Sequence, residues 1–343
     1  MKHTSPPTTA IVILNYNGAK LLTQYLPIVI DCSPSWSSII VADNGSSDNS
    51  LAILQQHFPS VKIISLGRNY GFAQGYNLAL QQIQADYCVL LNSDVKVTPS
   101  WLEPLIDTME SNEKIFACQP KILSLLHPSH FEYAGAAGGF IDWLGYPFCR
   151  GRLFSTLEKD EGQYDQPARI FWASGACMVV RTKLFKQLGG FDEDFFAHME
   201  EVDLCWRAKN AGYEVVYCPF SRVYHLGGST LDYQSPRKTY LNFRNSLIAL
   251  IKNEKSKKVW LKVFLRMSLD EVAGVYFLAL RQWAHLWAVL RSHLYVYVNV
   301  RKLLRKRYQT QLTARCVNHP EQIKTILVWA YFVKGVRRFT DLI

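Results

Sequence analysis

The sequence predicts an α/β fold in which a mostly parallel central sheet is flanked by helices. Continuous apolar runs recur through the first 120 residues, as expected of strands that are buried on both faces. Segments with helical periodicity separate the runs, and this alternation is typical of a parallel sheet with crossover helices. The predicted strands lie at 10–16, 38–44, 61–67 and 87–93, and the predicted helices near 18–30, 47–57 and 74–84.

Polar or glycine-containing segments follow each of the four predicted strands. They read NYNG, DNGSSD, GRNYG and NSD. In open α/β sheets, ligands bind outside the carboxyl ends of the strands. We therefore expect all four segments to line one crevice.

The remaining elements of the first 240 residues are predicted less completely. Gly-rich and aromatic sequence over 115–165 indicates loops around the crevice, and no strand or helix is assigned there. The segment FWASGACMVVR (171–181) has the composition of a buried strand. Helices at 182–188 and 200–211 and a strand at 213–219 complete the prediction.

The composition changes near residue 240, where apolar and aromatic residues begin to alternate with Arg and Lys. This change predicts two regions, a first domain over 1–240 and a basic amphipathic helical region over 241–343. The chain has a formal net charge of +10, yet from Lys252 onward it has 18 Lys and Arg against 5 Asp and Glu. Arg and Lys interrupt the apolar and aromatic residues so often that a membrane-spanning helix is not predicted. Two interpretations stay open: helices that lie on a membrane surface, or helices packed on the core or on a second subunit of a homo-oligomer.

Composition excludes several classes of protein. An apolar content of 49 % with 19 % charged residues is not that of a disordered chain. The first ten residues lack the apolar stretch of a signal peptide, so we expect a cytosolic protein, and eight cysteines without a CxxC pair indicate free thiols. The basic run RKLLRKRY (301–308) lies in a Trp-rich tail without a nucleic-acid motif, so no nucleic-acid partner is predicted.

Three carboxylates lie within four positions of the segment FFAHMEEVDLCWR (195–207): Glu200, Glu201 and Asp203. Acidic residues in the first turn of a helix are stabilised by the helix dipole, by about 0.3–1 kcal/mol each. This interpretation requires no function. The alternative is that the acids do chemistry, and the other motifs decide between the two.

Residues with binding chemistry follow the predicted strands. Asp43 could accept a hydrogen bond from a ribose or a base, or could form a turn. Arg68 precedes a glycine-rich helix start, a combination that suits phosphate. Asp94 could bind Mg²⁺ or Mn²⁺ or could belong to an ordinary turn, and His225 is an acceptable ligand for Mn²⁺ but as a lone histidine is more commonly structural.

The glycines near Arg68 do not form a known nucleotide-binding fingerprint. GFAQG (71–75) is neither a Rossmann GxGxxG nor a Walker loop. The sequence therefore argues against an NAD enzyme and against a P-loop NTPase.

Taken in this order, the motifs resemble the family 2 glycosyltransferases, which have the A-type nucleotide-sugar fold, and most of all their bacterial rhamnosyltransferase-like members in surface polysaccharide synthesis. The resemblance covers roughly 10–230. It rests on ILNYNG, VADNGSSDNS, GRNYGFAQGYN, LLNSDV, WASGACMVVR, GGFDEDFFAHMEEVDLCWR and YHLGGST. The first domain would then be the catalytic domain.

The resemblance implies roles for individual residues. Glu201 would be the catalytic base, with Glu200 positioning it or serving instead, and Asp203 would support the helix start or a neighbouring Arg. Asp94 would contact a divalent metal, Mg²⁺ or Mn²⁺, with His225 as a second ligand. The first acid of the family's DxD motif is Asn92 here, which carries no charge. The implied nucleotide-binding residues are Asn15, Tyr16, Asn17, Asp43, Arg68, Asn77 and Ser93, and the implied sugar and acceptor pocket is Trp172, Ser174 and Gly175, with a core position as the alternative for Trp172.

The implied reaction is transfer with inversion from a UDP- or dTDP-sugar, dTDP-rhamnose among them, to a hydroxyl group. The acceptor would be carried on a polyprenyl diphosphate or be an oligosaccharide, and the basic region would then meet the cytosolic face of a membrane. Two other functions are compatible with this sheet. They are a silent nucleotide-sugar or glycan-binding protein and a nucleotidyltransferase that releases pyrophosphate.

Overall fold

The computed structural model describes residues 6–132, 135–227 and 235–342. Strands within these ranges are β1 (Thr9–Asn15), β2 (Ser37–Asp43), β3 (Lys62–Ser65), β4 (Tyr87–Leu91), β5 (Val95–Val97), β6 (Ile115–Ser124), β7 (Gly139–Ile141), β8 (Pro147–Cys149), β9 (Arg152–Leu153), β10 (Thr156–Leu157), β11 (Ala168–Ile170), β12 (Cys177–Arg181) and β13 (Glu214–His225). The α-helices are α1 (Ala19–Cys32), α2 (Ser50–His57), α3 (Gly71–Gln81), α4 (Glu103–Glu110), α5 (Thr182–Gln187), α6 (Glu200–Asn210), α7 (Pro236–Asn253), α8 (Val259–Ala279), α9 (Trp283–Val298), α10 (Val300–Leu312) and α11 (Leu327–Phe332).

The central sheet has the order β11-β13-β6-β12-β4-β1-β2-β3, and β5 pairs with β13. β1 is parallel to β2 and β4, β2 to β3, and β6 to β13. β12 is antiparallel to both β4 and β6, so the strands on its two sides run the same way. The mostly parallel sheet predicted from the sequence is confirmed.

Side chains of the central strands are buried alternately on the two faces of the sheet. In β1, Ala10 and Val12 pack into one hydrophobic cluster, while Ile11 and Ile13 pack into the other. Helices cover both faces, which explains why the strands read as continuous apolar runs. The four strands and three helices predicted in the first 100 residues match β1–β4 and α1–α3 within a few residues.

Two predictions between 115 and 240 are wrong in part. Only Cys177–Arg181 of the predicted strand 171–181 is a strand, because residues 174–176 turn before β12. The last strand of the sheet does not end at 219 but continues to His225. The unassigned region 115–165 contains β6 and a small antiparallel sheet of the order β10-β9-β8-β7.

The C-terminal helices pack around α7. This helix contacts α6 of the first region as well as α8, α9 and α10, and it runs across residue 240, where the sequence suggested a boundary. None of the helices in the described residues is long and apolar enough to cross a membrane. The division into two regions stays a prediction, while the C-terminal helical extension is confirmed.

Candidate active site

The ends of β1 and β2 bring Asn15 and Asp43 together. Their backbones pair directly, and the Asn15 amide nitrogen lies 3.2 Å from Asp43 Oδ1. The same amide donates to Ser46 Oγ at 3.0 Å, and the Ser46 N–H donates to Asp43 Oδ2 at 3.1 Å. The strand ends therefore form a buried polar corner, with Tyr16 half exposed beside it.

The loop after β2 folds closely over this corner. Asn17, at φ 53°, accepts hydrogen bonds through Oδ1 from the Ser47 N–H at 2.7 Å and the Asp48 N–H at 3.3 Å. Gly45 has a φ of +75°, and a Cβ there would lie 2.4 Å from the Arg68 Cα. Only glycine allows this approach, which brings the exposed Arg68 beside the corner.

Asn77 has a structural role that the sequence did not indicate. Its amide nitrogen donates to the Phe191 carbonyl at 2.8 Å, and its oxygen accepts the Phe191 N–H at 2.8 Å. The side chain in α3 thus ties down the loop that leads to α6. A direct contact between Asn77 and the nucleotide stays a prediction.

Asp94 and His225 lie side by side because β5 pairs with the end of β13, which sets His225 opposite Val95. His225 Nε2 is 3.1 Å from Asp94 Oδ1, and His225 Nδ1 is 3.3 Å from Glu132 Oε1. Burial lowers the pKa of His225, but hydrogen bonds to the two carboxylates outweigh it and raise the pKa to about 10. Glu132 was not predicted to belong to the site, since nothing in the segment HFEYAG marks it.

Asp94 and His225 have donor atoms that suit a divalent cation, although in this structure the two side chains pair with each other. A carboxylate oxygen and an imidazole nitrogen stand together, both nearly fully buried, and Mn²⁺ accepts both kinds of donor. Across the described residues, no group of three or more His, Cys, Asp or Glu forms a complete metal site. Ser93 is half-buried next to Asp94, whereas positions 228–230 of the YHLGGST motif lie outside the described residues.

The acidic pair opens helix α6. Glu200 is its first residue, and His198 and Met199 before it have φ values of 69° and 75°, a region that few non-glycine residues occupy. The Asn245 amide of α7 holds this turn by donating to the carbonyls of Ala197 and His198 at 2.9 and 2.8 Å. The backbone of this strained turn is therefore held in place by a side chain of another helix, α7.

The two glutamates differ in their electrostatics. Burial raises the pKa of Glu201 to about 7. Burial also raises the pKa of Glu200 well above its usual value, and the neighbouring charge of Glu201 adds to the rise. In each carboxyl group Oε2 is buried and has no hydrogen-bond partner among the described residues. Two adjacent acids with raised pKa values and an open oxygen each are suited to proton transfer.

Asp203 is structural, as the sequence analysis expected. Its carboxylate is fully buried, and Oδ2 accepts a hydrogen bond from Arg207 Nε at 2.9 Å. Oδ1 lies 2.9 Å from Lys252 Nζ and accepts the Asn253 amide at 2.8 Å. Burial raises the pKa of Asp203, but Lys252 and Arg207 more than offset it and hold the pKa below its usual range.

The loop before α6 contacts the start of α3, because the Phe72 N–H donates to the Phe196 carbonyl at 2.9 Å.

The predicted sugar pocket is largely a packing region. Trp172 is 6 % exposed, donates from Nε1 to the Phe140 carbonyl at 2.9 Å and packs against Gly139. This is the core position that the sequence left open as an alternative. The Ser174 N–H donates to Gln119 Oε1 at 2.9 Å, and Gly175 lies against the Phe72 ring.

Comparison with known proteins identifies the family and several relatives of the chain. The family model described as Glycosyl transferase family 2 matches residues 10–189. An N-acetylglucosaminyl-diphospho-decaprenol L-rhamnosyltransferase of Mycobacterium tuberculosis is 26 % identical over 311 residues, which cover 87 % of this chain and 95 % of the relative. A low-salt glycan biosynthesis hexosyltransferase of Haloferax volcanii is 23 % identical over 250 residues, 70 % of this chain and 74 % of that one.

Solved structures share the fold at low sequence identity. The structure of GalNAc-T7 with UDP, GalNAc and Mn²⁺ has a TM-score of 0.58 at 18 % identity and covers 74 % of this chain, which spans only 49 % of that one. A mannosyltransferase from Pyrobaculum calidifontis with GDP-Man and Mn²⁺ has a TM-score of 0.52 at 13 % identity, covering 86 % of this chain and 88 % of its own. The protein belongs to glycosyl transferase family 2, has the A-type fold and is a glycosyltransferase.

Proposed function

We propose that the protein transfers a hexosyl or deoxyhexosyl group from a UDP- or dTDP-sugar to an acceptor hydroxyl with inversion, and that Glu201 is the general base. The observation that carries the proposal is the pair Glu200 and Glu201. Both residues lie at the start of α6, and in each of them Oε2 is buried and has no hydrogen-bond partner in the described structure. A substrate hydroxyl would supply the missing partner.

The proposed step moves one proton and one glycosyl group. The Glu201 carboxylate removes the proton of the acceptor hydroxyl while that oxygen forms a bond to the anomeric carbon. The bond from this carbon to the nucleoside diphosphate breaks on the opposite face, and the diphosphate leaves with the electron pair. A well-placed base of this kind contributes about 10²–10⁴-fold to the rate.

Glu200 would assist as a neutral acid. Burial and the Glu201 charge both raise the pKa of Glu200 well above its usual value, which favours its neutral form. A protonated carboxyl group can donate a hydrogen bond to the acceptor, and two adjacent buried carboxylates would not both ionise. Exchange of these two roles between Glu200 and Glu201 is the alternative that the experiment below separates.

Asp94 and His225 would hold the divalent ion. When bound, Mg²⁺ or Mn²⁺ supplies Lewis-acid stabilisation of the leaving diphosphate. The nucleotide would lie at the buried corner of Asn15 and Asp43, where carboxylate and amide groups suit a base and a ribose. The Arg68 guanidinium beside that corner suits phosphate oxygens.

The proposed donor and acceptor follow from the relatives. The mycobacterial relative is named for L-rhamnosyl transfer to an N-acetylglucosaminyl-diphospho-decaprenol, so we propose a deoxyhexose donor such as dTDP-rhamnose and a polyprenyl-diphosphate-linked acceptor, with a free oligosaccharide as the other acceptor class. A lipid-linked acceptor would require the protein to work at the cytosolic face of a membrane. A homo-oligomer through the C-terminal helices is compatible with this placement.

A nucleotide-release assay tests the proposal. Full-length protein is incubated with dTDP-rhamnose or UDP-sugars, Mg²⁺ or Mn²⁺ and a polyprenyl-linked acceptor, alongside Glu201→Gln, Glu200→Gln and the exposed control Glu113→Gln. We expect acceptor-dependent release by the wild type and the control, and a loss of about 10²–10⁴-fold in Glu201→Gln. The anomeric configuration of the product should be opposite to that of the donor.

Other outcomes of this assay are informative. A full loss in Glu200→Gln together with activity in Glu201→Gln would transfer the base role to Glu200. Retention of the donor's configuration would overturn the single displacement. In a parallel incubation with a nucleoside triphosphate, release of pyrophosphate would indicate a nucleotidyltransferase instead.

A further inference from the structure

Helices α8 and α9 form a hairpin whose apolar outer surface is largely exposed. We call this surface the hairpin face. Its principal side chains are between 55 % and 67 % exposed, far more than expected for large apolar residues. They are Val275, Tyr276, Trp283, Trp287, Leu294 and Tyr297.

The opposite side of the same hairpin is already used for packing. Val289 and Val296 of α9 are buried, and His293 lies 3.4 Å from the buried Asp270 of α8. Ser292 is likewise fully buried. Since the inner side supplies the contacts that hold the hairpin on the protein, the hairpin face is not needed for folding.

Charge around the hairpin face indicates what covers it. The sequence from 272 to 320 contains eight Lys and Arg and no Asp or Glu, although Glu271 directly precedes it and Lys302 and Lys306 pair with Asp194 and Asp192. Arg281, Arg301 and Arg305 in this stretch are exposed. A second copy of the same surface would bring like charges together, whereas a bilayer with anionic head groups would neutralise them and accept Trp and Tyr at its interface.

The hairpin is only one helix away from the catalytic turn. Thr239 Oγ1 of α7 is 2.8 Å from His285 Nδ1 of α9, and the Arg291 guanidinium of α9 lies over the Tyr240 ring of α7. The following turn of α7 carries Asn245, which holds the backbone just before the acidic pair. A lipid surface at the hairpin face would therefore lie near the base.

We propose that the α8–α9 hairpin face docks on the surface of an anionic lipid bilayer, with its aromatic side chains in the interface and Arg281, Arg301 and Arg305 on the head groups. This inference deepens the proposed function and rests on it only for the lipid carrier of the acceptor. Docking would keep the turn with Glu200 and Glu201 close to acceptor hydroxyls that are confined to the membrane surface.

Vesicle co-sedimentation of the full-length protein tests the proposal without turnover. The vesicles are phosphatidylcholine alone, or phosphatidylcholine and phosphatidylglycerol in equal parts, at low and high salt. We expect salt-sensitive binding to the anionic vesicles only. Removing two exposed charges in Arg301→Gln/Arg305→Gln should weaken partitioning by about fivefold per arginine.

Apolar variants localise the contact. The double variant Trp283→Ser/Trp287→Ser should bind on the order of tenfold or more weakly, while the matched control Trp329→Ser, which removes an exposed Trp of α11 outside the hairpin, should bind as the wild type does. Thermal melts check that the variants fold. Quenching of wild-type Trp fluorescence by bromine-labelled acyl chains needs no variant and should occur only with anionic vesicles.

Several results would overturn the proposal. They are absence of binding and quenching with both vesicles, equal binding by the hairpin variant and the wild type, or a wild-type dimer in light scattering that the hairpin variant converts to a monomer. The last result would mean that a second copy covers the face. If the wild-type protein binds no vesicles but still transfers sugar to a water-soluble acceptor analogue, the docking surface is overturned and the proposed function stands.

Discussion

Lys252 Nζ of α7 lies 2.9 Å from Asp203 Oδ1 of α6, one helical turn after the glutamates of the proposed site. The same ammonium group pairs with Asp192 in the loop before α6, and Lys306 of α10 lies 2.5 Å from Asp192 as well. Burial raises the pKa of Asp192, but these two lysines hold it well below its usual range. The C-terminal helices thus help to position the proposed active site, although they lie outside residues 10–189 that the family model matches.

The variant Lys252→Met should destabilise the protein by about 3–5 kcal/mol in the free energy of unfolding, because it keeps the length of the side chain but leaves Asp203 and Asp192 buried with less compensation. Chemical denaturation measures the change, and Lys258→Met, at an exposed lysine, is the matched control. Under conditions in which the variant is still folded, we also expect a lower kcat, since the start of α6 loses the ion pair between Asp203 and Lys252. Equal stability of the two variants would show that the Lys252 pair contributes nothing.

The rate of transfer should depend on the ionisation of Glu201. Burial raises the pKa of this carboxyl group to about 7, and a base acts only when it is unprotonated. We therefore expect kcat/KM to increase with pH up to about 7 and then to level off. Initial rates measured in overlapping buffers give the profile, with Glu113→Gln as control; a wild-type profile that is flat between about pH 6 and pH 8 would rule out a base with this environment.

Truncation of Asn77 separates a positioning role from nucleotide binding. Asn77→Ala removes two buried hydrogen bonds to the backbone of Phe191 and should reduce the free energy of unfolding by about 1–3 kcal/mol. The Kd for UDP or dTDP, measured by calorimetry, should stay unchanged while kcat falls, with Asn318→Ala on the surface as control. A large loss of nucleotide affinity would instead support the direct contact that the resemblance implied.

Glu132 should act on metal binding through His225. Its carboxylate is 3.3 Å from His225 Nδ1, and partners of this kind orient a metal-ligating imidazole, so that their loss typically weakens metal affinity about 10–100-fold. Mn²⁺ binding to Glu132→Gln, followed by electron paramagnetic resonance, measures the effect without turnover. Unchanged Mn²⁺ affinity would mean that Glu132 only fills space beside the histidine.

Much of the first half of the fold could be predicted because its determinants are local. Apolar runs and helical periodicity place β1–β4 and α1–α3 within a few residues, and the ends of parallel strands must meet at one edge of a sheet. Asn15 and Asp43 were therefore expected together, and they are in contact. The short strands β7–β10 were not predicted, since runs of two or three residues carry no periodicity.

By itself, the sequence determined the order of strands and helices, the chemistry at the strand ends, the acidic pair and the basic, apolar character of the last hundred residues. Tertiary structure decided which of these residues meet. Glu132 lies beside His225, and Trp172 is buried in the core. Both the nitrogen and the oxygen of the Asn77 side chain form hydrogen bonds with the loop before α6. The physical reason is that hydrogen bonds and ion pairs between distant residues depend on strand register and helix packing, and neither leaves a local pattern in the chain.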